Sequence, residues 1–153
     1  METITDSVEI AVPVERLFAY YADPNGAVRM SHPDMHLRLV KADLPFRENS
    51  RVLFSLRPQL LPFEVQWQFV IVEFRMNECF TEVSESGPFS FWRHQHRFES
   101  LGPDRSRVTD TIQFGPPTGF AAFVLGMAKV RSMLEKSFRH REQRLRTDLE
   151  EKR

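Results

Sequence analysis

The stretch Trp92-Arg93-His94-Gln95-His96-Arg97-Phe98, followed after a short gap by Val108-Thr109-Asp110-Thr111-Ile112-Gln113-Phe114, decides the fold. In each heptad one parity is mostly apolar and the other polar, the period-two signature of a strand with one covered face. Between them Gly102-Pro103-Asp104 supplies turn chemistry. Opposed residues of a hairpin keep a constant sum of residue numbers, and a slip of one would put every side chain on the wrong face. The sum 206 matches the faces: Phe98 with Val108, His96 with Asp110, His94 with Ile112, Trp92 with Phe114. The sum 207 sets His96 against Thr111 and mixes them.

The same logic extends upstream. With a turn at Gly87-Pro88, the sum 176 sets Phe80 beside His96, Glu82 beside His94 and Ser84 beside Trp92. Further alternating runs are Val65-Trp67-Phe69-Ile71, Val52-Phe54-Leu56 and Met35-Leu37-Leu39. The short links between the runs predict an antiparallel meander. Ahead of it stand a strand from Ile4 to Val12, a helix over 14–22 introduced by Pro13, and a second short helix from Asp23-Pro24 to Met30, stopped by Pro33. After Gly115-Pro116-Pro117, with Thr118 as cap, the apolar stripe Phe120, Phe123/Val124, Met127, Val130, Leu134, Phe138, Arg141, Leu145 and Leu149 predicts one long helix of about 50 Å. The expected class is α+β: a sheet of six to seven strands, two short helices after the first strand, and a long C-terminal helix across one face. The space between sheet and helix is either filled or left as a cavity.

Length and composition agree. A chain of 153 residues with 41% hydrophobic and 27% charged residues suits one domain over 1–153 and excludes disorder. Lys+Arg and Asp+Glu balance at 21 each, so the basic excess of a nucleic-acid module is absent. The one cysteine, Cys79, cannot form an internal bridge and has outward parity, which suits a bystander in a reducing compartment. The first residues lack signal-peptide character and no apolar run is long enough to span a bilayer, so a soluble, cytoplasmic protein is expected. Fourteen Phe against two Tyr and two Trp suit a thick core or a greasy pocket. Nothing in the sequence indicates the oligomeric state.

The candidate chemistry is the inward patch Glu82, His94, His96 and Asp110. A carboxylate beside a buried imidazole lowers the acid's pKa and raises the histidine's, and such a pair can serve as a general base. It can equally satisfy itself and fix register. His-x-His with carboxylates is also metal chemistry, but no second ligand cluster supports it, and neither metal nor cofactor is expected. Trp67, Phe69, Phe80, Trp92, Phe98 and Phe114 are candidate walls. Arg141, a charge on an apolar stripe, either snorkels past the sheet edge, the favoured reading, or reaches an interior acid or ligand. His32 and His36 are placed at a cavity mouth or the surface.

Several segments in order give a family resemblance: Ala11-Val-Pro-Val-Glu-Arg-Leu-Phe18, His32-Pro33, Trp67 to Ile71, Phe80-x-Glu82, Gly87-Pro-Phe89, Trp92-x-His-x-His-x-Phe98, Asp110 and Phe138-x-x-Arg141. Over about Ile10 to Leu145 the chain resembles the helix-grip fold of the START-like, or SRPBCC, superfamily. More narrowly it is similar to the bacterial ligand-binding SRPBCC domain proteins, sometimes labelled polyketide-cyclase-like. That family often has Asp where Glu82 stands and Gln where Ser84 stands, which implies a larger or differently connected patch here. The resemblance implies a deep cavity receiving a hydrophobic small molecule; superfamily members include lipid carriers, hormone receptors, aromatase/cyclases and ring hydroxylase domains. Two functions follow as expectations. One is binding of a lipid- or polyketide-like molecule anchored by His94, His96, Asp110 and Glu82. The other is a cofactor-independent cyclase or dehydratase in which His96, raised in basicity by Asp110, moves a proton while His94 and Glu82 polarise an oxygen. A protein–protein module with a closed interior is a third.

Overall fold

Seven strands form one antiparallel sheet, in the computed structural model that describes residues 1–59 and 61–151. Residues 60, 152 and 153 of the expected 1–153 domain lie outside the described residues. The strands are β1 (Glu2–Ile10), β2 (Arg38–Ala42), β3 (Arg51–Leu56), β4 (Val65–Arg75), β5 (Cys79–Ser86), β6 (Trp92–Gly102) and β7 (Arg105–Phe114), in the order β1-β7-β6-β5-β4-β3-β2. The helices are α1 (Val14–Ala22), α2 (Pro24–Met30), α3 (Ala121–Val124) and α4 (Met127–Leu145), the last continued by a π-helical segment, Arg146–Glu151. This is the expected α+β helix-grip architecture.

Local chemistry explains the first helices. In α1, Val14, Leu17, Phe18 and Tyr21 recur at helical spacing and are the buried positions. Asp23 accepts a hydrogen bond from the Asn25 backbone N–H, and Pro24 takes the first position of α2, where its missing N–H costs nothing. His32 and Pro33 do the same for a single 3-10 turn, Pro33–Met35, with His32 Nδ1 accepting from the Asp34 N–H. That turn uses up Met35, and His36 is left-handed at φ 47°, so β2 begins at Arg38 rather than at Met35 as expected.

The predicted registers hold where they matter. Phe98, His96, His94 and Trp92 face Val108, Asp110, Ile112 and Phe114, and Phe80 and Glu82 face His96 and His94. The β5–β6 ladder stops at Val83↔Arg93, so the expected Ser84–Trp92 pair is not made. Gly102, at φ 147°, allows the β6–β7 hairpin to close on Pro103-Asp104.

The long helix departs from expectation. It is broken at Leu125-Gly126, both in extended conformation, and α4 is capped by Gly126 rather than by Thr118. Nineteen residues give α4 a length of about 28 Å instead of 50 Å. Glycine disfavours a helix interior by about 1 kcal/mol, and the break turns Ala121 and Leu125 inward. Phe120, Phe123 and Val124, expected on the buried stripe, are exposed. From Val130 onward the stripe holds, with Val130, Phe138, Leu145 and Leu149 buried. Cys79 has outward parity as read but is fully buried, and Arg75 Nε donates to its Sγ at 3.2 Å.

Among the described residues no helix is long and apolar enough to cross a membrane.

Candidate functional site

A cavity of about 200 Å³ lies between the inner face of the sheet and α4. Trp67, Phe69 and Trp92 from the sheet, Phe89 from the β5–β6 connection, Ala27 and Met30 from α2, Leu125 from the α3–α4 break, and Val130, Met133 and Phe138 from α4 supply apolar wall. The titratable lining residues are Tyr21, Glu82, His94, His96 and Arg141. Trp67 and Trp92 meet edge to face with centroids 4.7 Å apart, and Trp67 Nε1 donates to Ser84 Oγ at 3.0 Å. Gly87 is required beside them, because a Cβ there would lie 2.3 Å from Trp67 Cδ1.

The centre of the polar end is Asp110. An ionised carboxylate only accepts, so both imidazoles donate to its Oδ1: His96 Nδ1 at 2.6 Å and His94 Nε2 at 2.9 Å. Tyr21 donates its hydroxyl to Oδ2 at 3.2 Å. Arg141 Nη1 stands 3.1 Å from Oδ1 as an ion pair. The preferred reading of Arg141 as a snorkelling side chain is therefore overturned: α4 aims it inward, and the buried carboxylate holds it. Its Nε and Nη1 have no hydrogen-bond partner among the described residues. His96 Nε2 is 3.6 Å from Glu82 Oε1.

These contacts set the charges. Burial works against ionisation of Asp110, yet the Arg141 charge and the two imidazoles hold its pKa well below the ordinary carboxylate range. Glu82 is likewise lowered, its burial outweighed by the His96 contact. Burial also opposes the charging of His96, but the Asp110 and Glu82 interactions prevail and its pKa is raised. His94 goes the other way, to about 4, through burial and the neighbouring His96 charge. Tyr21 is pushed well above its usual value by burial and by Asp110. The two imidazoles are thus unlike: His96 holds its proton to higher pH than an ordinary histidine, while His94 is neutral at neutral pH. The sequence expectation that a carboxylate neighbour raises both histidines holds for His96 alone.

Of the predicted site residues, Trp67, Phe69, Glu82, Trp92, His94, His96 and Arg141 line the cavity. Asp110 stands behind the imidazoles. Phe80, Phe98 and Phe114 pack in the core, where Phe80 and Phe98 meet Phe18 edge to face. Tyr21 was missed, although a tyrosine on the apolar side of α1 needs a partner for its hydroxyl. His32 pairs with the ring of His140 at 5.2 Å, and His36 is exposed.

Comparison with known proteins places the fold. The START superfamily protein from Mycobacterium smegmatis superposes with a TM-score of 0.71 at 13% identity, over 99% of each chain. Protein Ms6760 from the same organism gives 0.70 at 18% identity, over 99% of this chain and 92% of that one. The Zhui aromatase/cyclase from Streptomyces sp. R1128 gives 0.67 at 14% identity, over 97% and 96%. The fold is START-like, as the resemblance implied. No curated protein matches the sequence. A family signature covers residues 22–149, from the end of α1 to the π-helical segment, and the chain belongs to that family, Domain of unknown function (DUF8410).

Proposed function

We propose that this chain binds a compact hydrophobic or amphipathic small molecule, of lipid- or polyketide-like character, in the cavity between the sheet and α4. The observation that carries this reading is the division of the cavity wall into a large aromatic and aliphatic part and a polar part made of Glu82, His94, His96 and Arg141. Binding sites for small molecules combine such walls with a few placed polar groups. The Arg141 Nε, a buried donor without a partner among the described residues, calls for a ligand acceptor, such as a ketone oxygen, since buried donors are nearly always satisfied. Glu82 can accept from a hydroxyl. The volume lies below the roughly 300–1,000 Å³ that encloses drug-sized ligands, which favours a small one.

Native mass spectrometry of the freshly purified protein tests this. An apolar compound retained in stoichiometric amount supports the reading, and protein recovered free of any small molecule from several expression hosts contradicts it.

The second reading, a cofactor-independent cyclase or dehydratase, is favoured by the unlike states of the two imidazoles. In this version His96, the more basic ring, moves the proton and His94, neutral at neutral pH, polarises an oxygen, the roles assigned from sequence. His96→Gln should then abolish turnover of the retained compound while leaving its binding within about tenfold. Equal turnover in that variant removes this reading and leaves the first intact.

A further inference from the structure

Glu82, His94 and His96 converge at one place on the cavity wall. The two histidines alternate on β6 and so share a face, and Glu82 is directly opposed to His94 on β5. One ligating atom of each residue lies within 4.8 Å of the other two. Two ligands bound tetrahedrally to zinc at 2.0–2.2 Å stand roughly 3.4 Å apart. The 3.6 Å between His96 Nε2 and Glu82 Oε1 is already close to that spacing.

The far side of both rings is held in the way metal sites require. Ligating histidines characteristically donate their other ring N–H to a carboxylate, which fixes tautomer and orientation. Here Asp110 Oδ1 receives His94 Nε2 and His96 Nδ1 together, leaving His94 Nδ1 and His96 Nε2 as the free ring nitrogens. With both rings neutral, the charges of Glu82 and Asp110 against Arg141 leave one net negative charge, which favours a cation. The sequence expectation of no metal rested on the lack of a second ligand cluster. Among the described residues the fold adds no second cluster, but it brings Glu82 and both histidines of the first within reach of one ion.

We propose that Glu82, His94 and His96 form a binding site for a divalent transition metal of the imidazole-preferring class, with its remaining coordination positions facing the cavity. Two imidazoles and one carboxylate suit Zn²⁺ and its first-row neighbours and are too few oxygens for Ca²⁺ or Mg²⁺. Three protein ligands leave an open position, the arrangement of reactive rather than structural zinc sites. The site stands independently of the small-molecule reading, since its test needs no organic ligand.

The test is calorimetric titration of the chelator-stripped full chain with Zn²⁺, repeated with Co²⁺ while recording visible absorption. One equivalent should bind with a Kd in about the micromolar range or tighter, and Co²⁺ should develop visible bands. Glu82→Gln and Asp110→Asn should each weaken Zn²⁺ by at least about tenfold, whereas His36→Gln, an exposed histidine elsewhere, should leave it unchanged. If Asp110→Asn fails to fold, Glu82→Gln decides. Absence of stoichiometric binding, or the same affinity in Glu82→Gln as in the parent, overturns the proposal.

Discussion

Arg141, late in α4, sets its Nη1 3.1 Å from Oδ1 of Asp110 on β7, so the helix and the sheet are tied together at the polar end of the cavity. The same oxygen takes both imidazoles of β6. One buried carboxylate therefore positions Arg141 and both imidazoles, and its removal should be felt by all three.

Asp110→Asn keeps the shape and removes the charge, stranding Arg141 and His96. Breaking a buried pair from one side costs about 3–5 kcal/mol. Urea denaturation should show a loss of that order, against a change within about 0.5 kcal/mol for an exposed control such as Arg38→Gln. A loss below about 1 kcal/mol would mean that solvent already shields the cluster.

Stability should fall on both sides of neutrality. His94 titrates at 6.5 unfolded and about 4 folded, so from pH 6.5 downward the unfolded chain takes up a proton the folded one refuses. The loss reaches roughly 3 kcal/mol near pH 4. His96, raised in the fold, contributes stability that is complete below 6.5 and is lost as pH rises through its folded value. Asp110, lowered, contributes stability that is complete above 3.8 and is lost only well below it. Urea midpoints across pH 4–9 should show His94→Gln flattening the acid limb and His96→Gln the alkaline limb. Parallel profiles for parent and variants would contradict the assignment.

Gly87→Ala should displace Trp67, because the added Cβ would fall 2.3 Å from its ring. Overpacking of this kind costs about 1–3 kcal/mol. The shift should appear in tryptophan fluorescence together with a lowered Tm. An unchanged spectrum would mean that the loop yields instead of the ring.

Ala27→Leu adds three carbons on α2 against the cavity. In a filled core this would destabilise, but here it should raise stability by about 1 kcal/mol through burial of apolar surface. It should also lower the amount of compound retained on purification. Lower stability with unchanged retention would place the ligand elsewhere.

Alternation and turn chemistry carried much of this site. Once Gly102-Pro103-Asp104 fixes the hairpin, His96 must oppose Asp110, and Glu82 follows from the next turn. Parity does not encode depth along a strand. Phe80, Phe98 and Phe114 point inward as read yet end in the core, while Trp67 and Trp92, of the same parity, reach the cavity. The break at Leu125-Gly126 was hidden because one glycine in an apolar run costs too little to stop a helix unless packing favours the stop. Arg141 was misjudged because its partner lies 31 residues away in sequence, on a strand read separately. Periodicity alone cannot tell a charge escaping the core from one bound within it.

The central claim is that a small molecule occupies this cavity with its polar end at Arg141. The most direct measurement is a high-resolution crystal structure of protein purified without added ligand. The account predicts non-protein density between Trp67, Trp92 and α4, with an acceptor atom within hydrogen-bonding distance of the Arg141 guanidinium. A cavity closed by repacked side chains, or density whose polar end points away from Arg141, would contradict it.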